Sequence, residues 1–351
     1  MDAVLEHGQF ILGPEVAELE TTLACRAGVA HAVGLSSGTD ALVIALMAEG
    51  VGPGDAVFVP SFTFTATAEV VLLLGATPVF VDVDAHTFNI DVADLERHIA
   101  AVTREGKLKP RVVVAVDLFG QPADYPSLTA LAQRGGLFVL ADAAQSYGAR
   151  LGDQSVGSLA PATAASFFPA KPLGAYGDGG ALLTDDDVRA NLYRSIRAHG
   201  KGNDKYDIVR IGLNARLDTL QAAILLAKLT VFDEELRARA ALARRYDAAL
   251  TGAVAIPHRV PRAASAWAQY CIQLDRRDEA ARALKAQGVP TAVYYPKPMH
   301  LQPAYARFGA GPGSLPVSEH LSSRVLALPM NPYLTEDETD RVIAAVNEIT
   351  T

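Results

Sequence analysis

Seven short runs of β-branched and other apolar residues, spaced through the first two thirds of the chain, constrain the fold more than any other feature. They read AHAVGL (30–35), AVFVP (56–60), PVFVDV (78–83), RVVVAVDL (111–118), LFVLAD (137–142), ATAASFF (162–168) and GALLT (180–184). Most lack polar alternation, which marks strands covered on both faces of a mainly parallel sheet. Helix-period segments lie between them. DVADLERHIAAV starts with Asp91 as a candidate N-cap and Asp94 in the first turn, and DYPSLTALAQR starts the same way at Asp124. Such alternation predicts a doubly wound α/β domain, whose ligands bind beyond the carboxyl ends of the strands.

After Arg216 the pattern changes. RLDTLQAAILLAKLTVFDEELRARAALARRYDAAL keeps helical periodicity too long for one ordinary helix, so two helices or a kinked one are expected. The tail alternates strand-like pieces, AQYCIQL and TAVYY, with helical RDEAARALKAQG and TEDETDRVIAAVNEI. We therefore divide the chain into a large domain, 1–236, and a small C-terminal α/β domain, 237–351.

Composition excludes several classes. Half of the 351 residues are hydrophobic and the net charge is −8 without a Lys/Arg-dense run, so no nucleic-acid footprint is expected. The longest apolar stretch, VVLLL at 70–74, is far below the ~20 residues that span a bilayer. Two isolated cysteines, Cys25 and Cys271, suit a reducing cytoplasm rather than a disulfide framework. The start lacks the basic flank and apolar core of a signal peptide. The histidines show no metal spacing; His199 reads as a helix C-terminal cation, Asp82 and Asp84 as strand-end turn residues, and Asp185–Asp187 as a solvated helix start.

The stretch SFFPAKPLGAYGDGGAL (166–182) carries the chemistry. Lys171 stands between Pro169 and Pro172, behind a buried strand and ahead of glycines that let backbone approach a ligand. A residue before proline is held extended, and an amine in a poorly solvated site has its pKa lowered, which suits a Schiff-base lysine. An arbitrary loop lysine is more often a surface charge, so companions matter. In GLSSGTDALVIAL the amides of Gly38 and Thr39, with the Ser37 and Thr39 hydroxyls, open a helix where phosphate is favoured, although an ordinary N-cap reads the same way. This is not the G-x-G-x-x-G dinucleotide pattern. Asp142 ends a buried strand and either caps the next helix or keeps a pyridine nitrogen protonated. Gln145 could reach a ring oxygen. Phe62 and Phe64 sit at another strand–helix junction, with core packing the stronger reading for Phe62. Ser166 offers a second phosphate hydroxyl.

SSGTDAL, DAAQSYGA, SFFPAKPLGAYGDGGA and GLNARLDTLQAA, in that chain order, resemble the DegT/DnrJ/EryC1/StrS family of pyridoxal-phosphate-dependent sugar aminotransferases, and the likeness covers nearly the whole chain. The resemblance implies the aspartate aminotransferase (type I) fold, pyridoxal 5′-phosphate as cofactor, and L-glutamate and a keto sugar nucleotide as reactants. It makes Lys171 the catalytic lysine, Asp142 the pyridinium partner, Gln145 the ring-oxygen contact and Phe64 the stacked aromatic. Gly38, Thr39 and Ser166 become the phosphate cradle. Asn214 would reach the phosphate of a neighbouring subunit, which implies a homodimer with shared sites. Family members that dehydrate sugars typically carry histidine in place of this lysine, so Lys171 favours amino transfer over a dehydratase or lyase. A metabolite-sensing regulator on the same fold would be expected to add a basic or winged-helix segment, and none is visible.

HGQFILGPEV, VGPGDAV, RIGLNARLDTLQAAILLAKL and GVPTAVYYPKP are similar to the branch that aminates UDP-2-acetamido-2-deoxy-ribo-hex-3-uluronate for bacterial surface polysaccharides such as O-antigen. There Arg216 would contact the substrate carboxylate, as suits a guanidinium, or else cap or pair at the start of the long helix. Tyr294 and Tyr295 fall where the sugar should sit. That branch tends to have His-Tyr at this pair, and Lys297 replaces a commoner apolar residue, so another UDP- or dTDP-keto sugar stays open. Relatives usually carry a further helical segment before HGQF, so a late start or a truncation is expected.

Overall fold

The computed structural model describes residues 1–204, 206–251 and 254–350. Seven strands form one sheet: β1 (His31–Leu35), β2 (Asp55–Pro60), β3 (Thr77–Val81), β4 (Lys109–Val116), β5 (Phe138–Asp142), β6 (Ala162–Ser166) and β7 (Gly180–Thr184), in the order β1-β7-β6-β5-β4-β2-β3. Pairings among β2 to β6 are parallel, whereas β7 runs antiparallel to both β1 and β6. The apolar runs become strands because helices bury them on both faces.

Those helices are α1 (Asp2–His7), α2 (Pro14–Ala27), α3 (Gly38–Ala48), α4 (Ala66–Leu73), α5 (Val92–Glu105), α6 (Tyr125–Gly135), α7 (Asp187–Ile196), α8 (Thr219–Leu229) and α9 (Phe232–Ala249). On one face Leu42, Ile44 and Leu46 of α3 pack with Val57, Val112 and Leu140. On the other, Leu95, Leu128 and Leu131 cover Phe58, Val113 and Val139. Full burial of each such side chain is worth about 1.5–3 kcal/mol before chain entropy opposes it. Helix starts follow the expected chemistry. Asp91 accepts from Ala93 N and Asp94 N, Asp124 from Ser127 N, and Asp186 from Arg189 N.

The long periodic stretch is two helices, α8 and α9, with Thr230 and Val231 between them. The 236/237 division falls inside α9, which serves two cores. Leu236 packs toward α2 and α8, while Leu242, Ala243 and Tyr246 belong to a C-terminal cluster. That cluster holds strands β8 (Tyr270–Gln273) and β9 (Val325–Leu328), paired antiparallel, with α10 (Arg277–Ala286), α11 (Pro316–Arg324) and α12 (Glu336–Thr350).

Two expectations need correction. TAVYY forms no strand; flanked by Pro290 and Pro296, it makes one isolated bridge, Ala292 to Ala327, and the partner of β8 is VLAL. His199 is not in a last helical turn. It lies three residues past α7 at φ 62°, with its N–H on Leu213 O.

Asp82, read from the sequence as a turn residue, accepts from Val317 N (2.9 Å), Ser318 N (2.8 Å) and Ser318 Oγ (2.6 Å), so it caps α11 across the molecule. Among the described residues no His/Cys/Asp/Glu group could hold a metal ion, and no helix is long and apolar enough to cross a membrane.

Candidate active site

The site grows from the carboxyl ends of the strands. β5 delivers Asp142 to a buried position. Its Oδ2 accepts from Thr67 Oγ1 at 2.9 Å and its Oδ1 from Ala144 N at 3.2 Å. A carboxylate has about four acceptor positions, so room remains for one more donor. Burial raises the Asp142 pKa above its ordinary value, against the pull of the Thr67 and Ala144 hydrogen bonds and of Lys171.

Lys171 follows β6 in a turn that folds back on itself. Phe167 N donates to Gly179 O, Lys171 N to Phe168 O, and Ala175 N to Phe167 O, at 2.7–2.8 Å. A Cβ on Gly174 would lie 2.5 Å from Pro169 O, so the turn needs glycine there. The half-buried Lys171 amine has no hydrogen-bond or ion-pair partner among the described residues. Burial lowers its pKa, and the nearby Asp142 charge pulls the other way.

β1 leads into α3 through Ser37, whose Oγ accepts from Asp40 N at 3.0 Å. The first turn of α3 abuts the end of β6. A Cβ on Gly38 would meet Ser166 Cβ at 2.6 Å, and one on Gly180 would meet Ser37 C and O at 2.4 Å. Gly38, half-buried Thr39 and half-buried Ser166 therefore sit together at a helix N-terminus, a concavity suited to phosphate.

A roof is contributed by distant parts of the chain. Gln145 accepts from Phe119 N at 2.7 Å and donates to Tyr295 Oη at 3.3 Å. The exposed Phe64 ring lies 6.3 Å from the Tyr295 ring, which also contacts buried Phe62 at 6.1 Å and Tyr294 at 5.8 Å. Phe62 is thus a core residue.

Asn214 and Arg216 lie beside the end of β1, where Arg216 bridges Leu35 and Ala215 O accepts from Ser36 N. Ala215 and Leu217 are buried, while Asn214 and Arg216 face the other way and bond each other, Arg216 Nε to Asn214 Oδ1 at 3.0 Å. No acidic group pairs with Arg216 among the described residues.

Sequence reasoning missed Thr67, one of three threonines in the TFTAT run (63–67) that nothing in the spacing sets apart. It also missed Asp117, a wholly buried carboxyl behind Asp142 that accepts from Ala123 N, Tyr125 Oη and Ser146 Oγ at 2.7–2.8 Å. A cleft of about 1150 Å³ lies elsewhere, between Asp84, Tyr125, Gln133, Asp153 and His258, and shares no residue with this site.

A cradle at a helix start, a buried carboxylate and a desolvated lysine at adjoining strand ends define a pyridoxal-phosphate fold of the transaminase kind. The comparisons agree. The chain belongs to the DegT/DnrJ/EryC1/StrS aminotransferase family, which it matches over residues 1–347. It is 46% identical over 344 residues, 98% of this chain and 93% of the relative, to UDP-2-acetamido-2-deoxy-3-oxo-D-glucuronate aminotransferase of Pseudomonas aeruginosa. It is 44% identical to the pleiotropic regulatory protein of Geobacillus stearothermophilus, covering 99% and 92% of the two chains. A crystal structure of a DegT DnrJ EryC1 StrS aminotransferase from Brucella abortus superimposes with a TM-score of 0.97 at 51% identity, covering 99% and 94%. The cofactor of this family is pyridoxal 5′-phosphate. The residues here fit it: glycine at 38 lets α3 start against Ser166 with its first amides at the strand ends, and the free positions on Asp142 suit a ring N–H.

Proposed function

We propose that the protein moves an amino group from L-glutamate to the keto carbon of a nucleotide-linked sugar. The leading acceptor is the 3-keto group of UDP-2-acetamido-2-deoxy-hexuluronate, on the way to a bacterial surface polysaccharide such as O-antigen. The observation that carries this reading is the unpartnered, desolvated Lys171 amine within electrostatic range of buried Asp142. The similarity to the Pseudomonas aeruginosa enzyme supports the sugar.

Bound pyridoxal phosphate supplies an aldehyde and a ring that accepts negative charge from the substrate carbon. The chain supplies the rest. Gly38 and Thr39 amides and the Ser166 hydroxyl hold the phosphate at the start of α3, and Asp142 holds a proton on the ring nitrogen. Phe64 covers the ring against water, and Gln145 orients its phenolic oxygen while fixed by Phe119 N. Lys171 Nζ, lowered in pKa and so available as a base, takes the α-proton of glutamate and later returns a proton to the sugar carbon. Glutamate leaves as 2-oxoglutarate and the ketone leaves as an amine. Arg216 offers a bidentate contact to a uronate carboxylate, with Tyr294 and Tyr295 beside the sugar.

We assign the active unit as a homodimer in which Asn214 serves the partner's cradle. Exposed Ile208, Val209 and Ile211 adjoin that stretch, and exposed Phe10 and Ile11 lie next to it through the Ile11–Asp218 bridge; clustered apolar exposure is a mark of an interface. Free Cys25 and Cys271 suit the cytoplasm. The 1–236 and 237–351 division describes the cofactor-binding and C-terminal lobes of that unit.

Purified protein should show the cofactor's absorption band, lose it on adding glutamate, and, once 2-oxoglutarate has been removed, regain it with a keto sugar nucleotide. 2-Oxoglutarate must also restore the band, by reversal of the glutamate step; failure of every UDP- and dTDP-keto sugar in a panel to restore it, with recovery by 2-keto acids alone, would sink the sugar assignment. Lys171→Ala should lower turnover on the order of a thousandfold; parental turnover in that variant would remove the lysine from the mechanism.

A further inference from the structure

A second polar chain lies beside the site. Ser61 Oγ is 2.7 Å from His300 Nδ1, and His300 Nε2 is 3.1 Å from Glu319 Oε1. Serine, histidine and carboxylate in that order form a hydrolase arrangement. Ser61 is 0% exposed and His300 1%, so no substrate can approach the hydroxyl.

Hydrogen-bond directions indicate another role. His300 N donates to Ser61 Oγ at 3.3 Å. The Ser61 hydroxyl hydrogen is then left for Nδ1, and Nε2–H faces Glu319, which also accepts from Gly313 N at 2.8 Å. This neutral tautomer pairs every polar atom of the chain, whereas a doubly protonated ring would leave the Ser61 hydrogen without an acceptor. The Ser61 carbonyl accepts from Met299 N at 2.7 Å, so residues 299–300 grip Ser61 by backbone and side chain. Tyr305 Oη bonds Thr65 Oγ1 at 2.5 Å, a second tie to the same turn. That turn carries Phe64, set against Tyr295, and leads to Thr67, bonded to Asp142.

We propose that His300 is a positioning residue for the cofactor site, holding the 61–67 turn where Thr67 meets Asp142 and Phe64 faces Tyr295. The inference rests on reading Asp142 and Lys171 as cofactor partners.

In the holoenzyme, His300→Ala is expected to lower kcat roughly ten- to a hundredfold through misplacement, with KM for glutamate changed less than threefold. It should also move the pH midpoint of the bound cofactor's absorption band and weaken cofactor uptake when the apoprotein is titrated with pyridoxal phosphate. His300→Gln, which can accept from Ser61 and donate toward Glu319, should restore most of each. Should His300→Ala not fold, Glu319→Gln is expected to move the same midpoint in the same direction by less. Folded variants with the parental midpoint, uptake and kcat, or activity lost only in proportion to the folded fraction, overturn the proposal. A parent protein with no cofactor band would instead sink the functional reading beneath it.

Discussion

Lys171 and Asp142 show how burial sets the starting protonation of a site. Desolvation disfavours both charged forms, lowering the amine's pKa and raising the carboxyl's, while each charge partly rescues the other. Asp117 is the more exposed to pH in its stability effect, since no cation faces it. Its neighbours are Tyr125 from α6, Ser146 after β5, and Asp142 itself, and burial first, with Asp142 adding to it, pushes its pKa up to about 7. A carboxyl raised in the native state binds its proton more tightly there than in the unfolded chain. The stability it contributes is therefore present below about pH 4 and lost as pH rises through about 7, with a ceiling on the order of 4 kcal/mol. Asp117→Asn should flatten the pH dependence of the unfolding free energy over that window, checked by urea melts at intervals from pH 4 to 8. An unchanged slope would show that Asp117 is ionised throughout. Lys171, Asp142 and Ser166 were legible because each ends or follows an apolar run. Thr67 and His300 were not, because Asp142 and Ser61 lie far along the chain and spacing carries no record of that; Asp117 was not, although Tyr125 is only eight residues on, because its burial shows only in the fold.

At the scale of elements, the junctions matter more than the elements they join. α3 can start against the end of β6 only because Gly38 and Gly180 lack side chains. Gly38→Ala would press a methyl onto the strand at Ser166, where little can yield. The expected cost is about 1–3 kcal/mol, with weaker cofactor binding, read as a lower Tm and a higher Kd for pyridoxal phosphate; wild-type values for both would mean the cradle has slack. Strand positions were readable because two-sided burial demands continuous apolar residues, and helix starts because aspartates cap them. The C-terminal pair was half readable. VYY has β-forming residues, yet its prolines and its place beside the sheet's roof leave it a single bridge, while VLAL has the two-sided burial that pairing needs.

Across the whole molecule, the exposed apolar surface around 208–211 and 10–11 bears on assembly. Ile211 is 83% exposed in one chain, so Ile211→Asp should leave the fold intact, shift the species seen by light scattering from dimer toward monomer, and reduce activity with it. A variant that remains dimeric would place the interface elsewhere. Order of strands and lobes was implied by the resemblance, whereas the sharing of α9 between two cores was not, because its charged outer face gives no sign of where one core ends.

That sharing has a mechanical consequence. α9 passes without a break from one lobe into the other, and Asp82 pins the first amides of α11 to the end of β3. Swinging the C-terminal lobe as a jaw would require bending a continuous helix and stripping three hydrogen bonds from a buried carboxylate. In the homodimer proposed above, substrate entry would then fall to the loops at the strand ends and to the second copy.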